Sequence, residues 1–196
     1  MVASAGPPSP FILNLFTDAS FRMLKHYKSP SKLSQSAGAA VFWKPWPGLV
    51  GQNPWHSRAF QVLTYRDFHE AELFAVVAGL ETAALLSHLM SELKRVTIFI
   101  DCKDSIRRLT AAAENASDPL IKRAVAASFE LDAKGIRVLV YWCPDHAGIE
   151  GNKKAGELAK EVCYHSFRHL VPMGQPTSVA GNEILGEYLE RARRSD

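Results

Sequence analysis

The spacing of apolar residues changes partway along this chain, and the change restricts the fold more than any other feature. In the first third of the chain the apolar segments are short and separated by polar or Pro- and Gly-rich stretches, which predicts strands at 11–20, 37–43 and 58–66. The polar and basic residues 22–36 are predicted to form a loop. From Glu70, apolar residues recur every three to four positions through about residue 90, which predicts the first long helix. Three strands therefore precede the first helix.

Beyond this helix, strands and helices alternate. The run VTIFID at 96–101 is continuously apolar up to its last residue and predicts a central strand covered on both faces, and IRVLVYW at 136–142 predicts a fifth strand. Further helices are predicted at 104–114, from Ser117-Asp118-Pro119 to Gly135, and at 152–164 with Asn152 as the N-cap. The order β-β-β-α-β-α-α-β-α predicts an α/β fold with a mixed five-stranded sheet flanked by helices.

The two ends of the chain differ from its middle. Residues 1–10 are small and Pro-rich and lack a basic start or an apolar stretch, so we expect a disordered leader and not a signal peptide. Residues 165–196 predict a C-terminal extension, irregular at first, with a short polar helix at 181–195. Residues 11–164 hold all the other predicted elements and are expected to form one domain.

Composition excludes several classes of protein. The chain is 47% hydrophobic and 22% charged, an ordinary mixture for a soluble globular protein. No apolar run approaches the ~20 residues that span a bilayer, so we expect no membrane insertion. The three cysteines, Cys102, Cys143 and Cys163, contain no C-x-x-C pair, which argues against a disulfide framework or a zinc ribbon. We expect an intracellular protein in a reducing compartment, the cytoplasm or the nucleus.

Three carboxylic acids stand where the predicted elements would bring them together. Asp18 and Asp101 end two strands that would be neighbours at the centre of the sheet, and Glu72 would point from the start of the long helix toward the same sheet end. Three converging carboxylates repel one another strongly unless cations neutralise them. Hard oxygen ligands favour Mg²⁺ or Mn²⁺, and two such ions ~3.5–4 Å apart can activate a water and stabilise the leaving oxygen in phosphodiester hydrolysis.

Four segments in order resemble motifs of the type 1 ribonuclease H family, in its retroelement-like variety. They are FTDAS at 16–20, AEL at 71–73, IFID at 98–101 and WCPDHAGIEGNKKAGELAK at 142–160. The resemblance implies a ribonuclease H-like fold over 11–164 and an endonuclease that cuts the RNA strand of RNA–DNA hybrids with Mg²⁺ or Mn²⁺. Asp18, Glu72 and Asp101 would be its metal-binding and catalytic carboxylates, and His146 would assist proton transfer or product release.

The last motif departs from the family pattern at the position of the fourth carboxylate. Gly156 stands ten residues after the histidine, where the family carries an aspartate, so the implied two-metal site lacks one ligand. Glu157 is adjacent but points about 100° away around a helix. Asp145 occupies the place where the family usually has glycine. It could be a compensating carboxylate, although a solvated loop aspartate is the alternative that we favour.

The expected substrate contacts also depart from the family. Cys102-Lys103 and His69-Glu70 replace residues that contact 2′-hydroxyls and bases in the family, which puts discrimination between RNA and DNA in doubt. The principal candidate phosphate contacts are Lys25, Lys103, Arg107 and Lys153, supplemented by Lys28, Lys32, Arg58, Arg108 and Lys154. The short acidic connection at 112–118 holds no basic insertion, so we expect weak binding by the isolated domain and dependence on a reverse transcriptase-like or other protein partner.

A second function stays open at this point. A catalytically inactive ribonuclease H-like domain could serve as a nucleic-acid-binding or protein-interaction module in a larger assembly. The missing ligand and the altered substrate contacts favour inactivity, whereas the three remaining carboxylates and the histidine favour activity. A zinc site at Cys163, His165 and His169 is not expected, because no fourth ligand is apparent.

Overall fold

The computed structural model describes residues 11–25, 33–44, 55–62, 67–112, 114, 116–144 and 148–165, with the backbone alone at 23–25, 33–35 and 165. Its elements follow the predicted order. They are β1 Ile12–Lys25, β2 Leu33–Trp43, β3 His56–Val62, α1 Phe68–Ser87, β4 Arg95–Ile100, α2 Lys103–Thr110, α3 Pro119–Ala133, β5 Arg137–Trp142 and α4 Glu150–His165. None of the helices within these ranges combines the length and apolarity needed to cross a bilayer.

The strands form one mixed sheet in the order β3-β2-β1-β4-β5, which confirms the predicted fold class. β2 pairs antiparallel with both β1 and β3, while β4 pairs parallel with both β1 and β5. Phe16 of β1 is the partner of Phe99 of β4. Asp18 and Asp101 therefore each lie two residues further along adjacent parallel chains. Asp101 follows the end of β4 as predicted, whereas Asp18 lies within β1 and does not end it, because β1 continues in its ladder with β2.

Helices cover both faces of the sheet at β1. Side chains alternate along a strand, so Leu15 and Thr17 point to one face while Phe16 and Asp18 point to the other. The first face packs against α1 in the main core, where Leu15 and Phe74 are fully buried. On the second face, Phe16 belongs to a smaller buried cluster with Ala155 of α4. Asp18 consequently points toward α4.

The first two strands are longer than the sequence predicts. The prediction of a loop over 22–36 is wrong in part, because Arg22 pairs with Ser36 and Lys25 with Leu33 in the β1–β2 ladder. These residues are mostly polar and carry no alternating apolar pattern, so the strand there depends on backbone pairing with its neighbour. Residues 26–32, which include Lys28 and Lys32, lie outside the described part of the chain.

The helix start predicted from the sequence is confirmed for α3 and is wrong for α4. The Asp118 side chain accepts from the Leu120 amide at 2.8 Å, and Pro119 opens α3, as predicted. Asn152 is not an N-cap, however, because α4 already begins at Glu150. The buried Asn152 side chain instead accepts a hydrogen bond from the Cys143 thiol, with Sγ and Oδ1 3.2 Å apart, and so ties α4 to the end of β5.

Glycines allow α4 to lie close against the sheet. A Cβ atom at Gly38 of β2 would lie 2.3 Å from the Ala159 carbonyl oxygen, and a Cβ at Gly151 would lie 2.3 Å from the Phe16 ring. Any larger residue at either position would force the helix outward. The close approach sets the height of α4 above β1 and thereby the distance between Asp18 and the middle of α4.

Candidate active site

Asp18, Glu72 and Asp101 converge at one edge of the sheet. Each offers a carboxylate oxygen, and these three oxygens all lie within 4.8 Å of one another. Asp18 comes from β1, Asp101 follows β4 directly, and Glu72 reaches in from the fifth residue of α1. Among the residues that the structure describes, this is the one group of three or more His, Cys, Asp or Glu side chains that could share a metal ion.

The environment of Glu72 opposes its charged form. The residue is only 1% exposed, and in the described part of the chain neither carboxylate oxygen finds a hydrogen-bond partner. Burial raises the pKa of Glu72 well above its ordinary value, and the charges of Asp18 and Asp101 raise it further. The Ala19 amide, which donates to Asp18 Oδ1 at 2.7 Å, has a weaker opposite effect on this pKa.

These residues fit a divalent cation. Buried polar atoms are normally hydrogen-bonded, so two carboxylate oxygens without a partner among the described residues are suited to a partner from outside the chain. A cation at the centre of the trio would supply that partner and offset the mutual repulsion of the three carboxylates. The donor set consists entirely of carboxylate oxygens, which suits a hard ion such as Mg²⁺ or Mn²⁺.

Gly156 faces this group from α4. A Cβ atom at position 156 would lie 2.5 Å from Asp18 Oδ2, so a side chain there would project directly into the carboxylate cluster. The Asp18 carboxylate occupies the space that a side chain at position 156 would need, and glycine allows this close approach. The neighbouring Glu157 is exposed and lies 3.8 Å from Lys153 Nζ, which agrees with the expectation that it points away from the site.

Two predicted site residues fall outside the described part of the chain. Asp145 and His146 lie within residues 145–147. The proposed roles of Asp145 as a compensating carboxylate and of His146 in proton transfer stay predictions. Gly148, just beyond them, has a φ of 72°, a left-handed conformation that glycine adopts without strain.

The candidate phosphate contacts differ in their availability. Lys103 is exposed, and its Nζ lies 4.1 Å from the centre of the Trp142 ring. Arg107 is exposed and pairs with Asp104 within α2, and Lys153 is exposed beside Glu157. For Lys25 the structure describes only the backbone, in the part of β1 beyond Asp18. The role of each of these four residues stays a prediction.

Two of the supplementary cations have partners within the protein. Arg58 is partly buried and donates from Nη1 to Thr82 Oγ1 at 3.1 Å. Arg108 pairs with Asp118 Oδ2, and the side chains are 18% and 12% exposed. Arg58 and Arg108 therefore already have partners within the protein, which residue type alone does not reveal, and their contact with phosphate stays a prediction.

The structure adds one residue to the site that sequence reasoning missed. The indole N–H of Trp142 donates to the backbone oxygen of Asp101 at 3.0 Å. The available signal in the sequence is an aromatic residue that ends the fifth predicted strand, beside the strand that Asp101 ends. Near the same place, His69 Nδ1 lies 3.8 Å from Cys102 Sγ, at the positions where family residues that contact the substrate were expected.

Known proteins resemble this chain in sequence pattern and in fold. The RNase H family model matches residues 12–164, whereas no curated protein matches the chain significantly. The structure of the foamy viral protease-reverse transcriptase in complex with RNA/DNA hybrid has a TM-score of 0.53 and 15% identity, over 84% of this chain and 22% of that one. This chain thus spans about a fifth of the foamy viral protein.

Two smaller proteins match over most of their own length. LC9-RNase H1, a type 1 RNase H with the type 2 active-site motif, has a TM-score of 0.54 and 17% identity, over 92% of this chain and 82% of that one. The PFV RNase H domain has a TM-score of 0.52 and 16% identity, over 78% of this chain and 94% of that one. At such identities the likeness shows the fold alone. The family match covers most of the sequence, however, and the chain belongs to the ribonuclease H family of hydrolases.

Proposed function

We propose that this chain is a divalent-metal-dependent endonuclease that hydrolyses the RNA strand of RNA–DNA hybrids. The observation that carries the proposal is the state of Glu72, a buried carboxylate whose oxygens have no hydrogen-bond partner in the described residues. It lies within reach of Asp18 and Asp101. Such an arrangement is costly for stability unless a cation completes it, and functional sites are where costly arrangements of this kind persist.

The three carboxylates would hold Mg²⁺ or Mn²⁺. When bound, such ions activate the attacking water and stabilise the leaving oxygen. The protein holds the ligand residues in different ways: the Ala19 amide donates to Asp18, the Trp142 indole donates to the Asp101 backbone, and Glu72 is buried in the first turns of α1. Ligands held in this way need little rearrangement when a cation arrives.

Gly156 would weaken but not remove this chemistry. Three carboxylates remain to bind cations, and the absence of a side chain at position 156 would leave one of the two expected metal positions with one protein ligand fewer. We therefore propose a two-metal site in which one position is poorly held. Activity would then require higher metal concentrations than a site with four carboxylates.

The proposed substrate is a nucleic acid duplex that contains RNA. Lys103, Arg107 and Lys153 offer exposed cations, and Lys25 is a further candidate. The foamy viral neighbour, which was solved with an RNA/DNA hybrid, is a protease-reverse transcriptase. By analogy we propose that this domain acts together with a reverse transcriptase-like partner, which would compensate for the few cations of the domain itself.

A reducing intracellular compartment suits the cysteines. Cys102, Cys143 and Cys163 are buried thiols, and none of them forms a disulfide. The Cys163 thiol donates to the backbone oxygen of Ser36 at 3.3 Å, and burial raises its pKa, so it is held in its neutral form. This proposal would be tested by locating a tagged copy of the chain in cells.

The deciding experiment is cleavage of an end-labelled RNA–DNA hybrid in Mg²⁺ and in Mn²⁺ by three forms of the chain: the natural sequence, Gly156→Asp and Asp101→Asn. The proposal requires cleavage by the natural sequence and its loss in Asp101→Asn. A matched DNA–DNA duplex tests whether the 2′-hydroxyl is required. Cleavage that persists unchanged in Asp101→Asn would point to a contaminating nuclease and overturn the proposal.

A second function is favoured by one observation, namely that the residue facing Asp18 from α4 is glycine. If only Gly156→Asp cuts the hybrid, the natural chain is an inactive ribonuclease H-like domain that binds nucleic acid. If neither form cuts or binds hybrid, the domain is a protein-interaction module, and the nuclease proposal fails for this chain.

A further inference from the structure

Trp142 lies beside the carboxylate site at the end of β5. It pairs with Ile100 in the parallel β4–β5 ladder, which places it next to the residue that follows β4. Its side chain is 41% exposed. The indole N–H donates to the backbone oxygen of Asp101, with nitrogen and oxygen 3.0 Å apart. The contact therefore joins the edge strand to a carboxylate residue through its main chain.

The face of the same indole meets a cation. Lys103 Nζ lies 4.1 Å from the ring centre, within the range of a cation–π interaction. Lys103 is the first residue of α2 and lies two positions after Asp101. Trp142 thus contacts the short connection between β4 and α2 at both of its ends, through the ring edge at Asp101 and through the ring face at Lys103.

The connection between β4 and α2 lacks the N-cap hydrogen bond that often holds the start of a helix. Cys102, the N-cap of α2, makes no side-chain hydrogen bond to the first turn of the helix. N-cap side chains usually bond to an amide of the first turn and so fix the angle at which the chain enters the helix. Since Asp101 immediately precedes this cap, the orientation of its carboxylate depends on contacts from elsewhere.

We propose that Trp142 is a positioning residue that orients Asp101 for metal binding, an inference that rests on the proposed metal-dependent function. Its N–H holds the Asp101 backbone in the direction that aims the carboxylate at Asp18 and Glu72. The ammonium group of Lys103 keeps the ring in place. Trp142 itself touches neither metal nor substrate in this role.

The variant Trp142→Phe separates positioning from packing, because it keeps an aromatic face for Lys103 and removes the N–H donor. Trp142→Tyr is a second variant that also lacks the indole N–H, and it must behave in the same way. Tyr141→Phe is the matched control. Tyr141 is 45% exposed, it stacks on Phe99 with ring centres 6.2 Å apart, and as the preceding strand residue it points to the opposite face of the sheet.

The first measurement is calorimetric titration of the whole chain with Mn²⁺ alone. Loss of a hydrogen bond that orients a ligand residue typically weakens metal affinity by about tenfold. We expect that loss in Trp142→Phe and Trp142→Tyr and no change in Tyr141→Phe. Far-ultraviolet circular dichroism of each variant checks that the fold is retained.

The second measurement is amide hydrogen exchange of the metal-free chain over residues 100–105. We expect faster exchange there in both Trp142 variants and the natural rate in Tyr141→Phe, because the connection loses its attachment to β5. A purely structural role for Trp142 would raise exchange throughout the sheet and would not be confined to this segment.

The outcomes are distinguishable. If the Trp142 variants bind Mn²⁺ like the natural chain, or if exchange over residues 100–105 is unchanged, Trp142 does not position Asp101 and the inference is overturned. If the natural chain binds no Mn²⁺ at all, the proposed metal-dependent function fails. The exchange experiment then still decides by itself whether Trp142 holds the Asp101 backbone.

Discussion

The two sides of the carboxylate site are built differently. On the side of β1, β4 and α1, three acidic side chains lie close together, the Ala19 amide donates to Asp18, and the Trp142 indole donates to the Asp101 backbone. On the side of α4, the residue that faces the cluster is Gly156, which contributes no side chain at all. The first side carries an excess of negative charge, whereas the second contributes no charged ligand.

This difference assigns two properties of a metal site, attraction of a cation and retention of a second cation, to different parts of the fold. The β1, β4 and α1 side determines whether the chain attracts a cation, because burial and repulsion make its carboxylates poorly suited to an empty site. The α4 side determines how firmly a second cation is held. Any impairment of metal binding should therefore originate at α4, and variants on the two sides should have different consequences.

Asp101→Asn should give the largest effect, since it removes a ligand from the intact side. We expect cleavage of the hybrid to fall about a thousandfold, because metal ions supply several kcal/mol of transition-state stabilisation and each 1.4 kcal/mol is a factor of ten. Single-turnover cleavage with saturating enzyme measures this fall. Asp104→Asn, which removes a carboxylate that pairs with Arg107, is the control and should retain activity.

Glu72→Gln should change stability in a manner that depends on metal and pH. With Mn²⁺ at a hundred times its Kd, the natural chain should gain about 2.7 kcal/mol in the free energy of unfolding, and Glu72→Gln should gain far less. Chemical denaturation with and without Mn²⁺ measures the gain. An equal gain in both forms would mean that the cation binds elsewhere.

The pH dependence of the metal-free chain follows from the same residue. The folded-state pKa of Glu72 is raised, so at intermediate pH the folded state holds more protons than the unfolded state. Stability linked to Glu72 is therefore present below its ordinary pKa of 4.5 and is lost as pH rises toward the folded-state value. Denaturation in EDTA should show a smaller loss in Glu72→Gln. A loss of the same size in both forms would contradict the assignment.

Gly156→Asp should give the α4 side of the site a carboxylate, as the other side already has. We expect metal affinity and cleavage to rise by about tenfold or more, because an added carboxylate increases the charge and the number of ligands at the site. The Asp18 carboxylate must rotate to admit the new Cβ, which is feasible for the end of a flexible side chain. Gly156→Asn is the matched variant. Equal gains in Asp and Asn would show that helix propensity, and not a metal ligand, is responsible.

Lys103→Gln should give the smallest effect. If Lys103 contacts one phosphate, the slope of log affinity for hybrid against log salt concentration should become shallower by about 0.9. Fluorescence anisotropy across a range of salt concentrations measures the slope. Lys122→Gln, on the exposed face of α3, should leave it unchanged. An equal change of this slope in both variants would mean that only the net charge matters and would contradict a phosphate contact at Lys103.

Much of the fold could be predicted from the sequence because it depends on residues that are close together in the chain. The 3–4 residue spacing that begins near Glu70 marks α1, and the run at 96–101 marks β4, since burial of an apolar stripe or face is what stabilises these elements. Asp118 and Pro119 mark the start of α3 by local hydrogen bonding and by a fixed φ.

The features that the sequence did not predict depend on contacts between residues that are far apart in the chain. The continuation of β1 beyond Asp18 depends on pairing with β2, and its polar residues carry no alternating pattern. The early start of α4 at Glu150 accompanies a bond between Asn152 and Cys143, so the residue expected to cap the helix is used to attach it to β5. The partners of Arg58 and Arg108 likewise come from packing between helices and sheet.

By itself, the sequence determined the order of the elements and the choice of three carboxylates, because hydrophobic period and strand-end residues are local features. Only the tertiary structure decided that Gly156 faces Asp18 and that Trp142 holds Asp101. Both contacts join residues far apart in the chain. Each contact depends on how two elements are placed relative to each other. Glycines set the distance of α4 from the sheet, and the register of β4 and β5 sets the position of Trp142 beside Asp101.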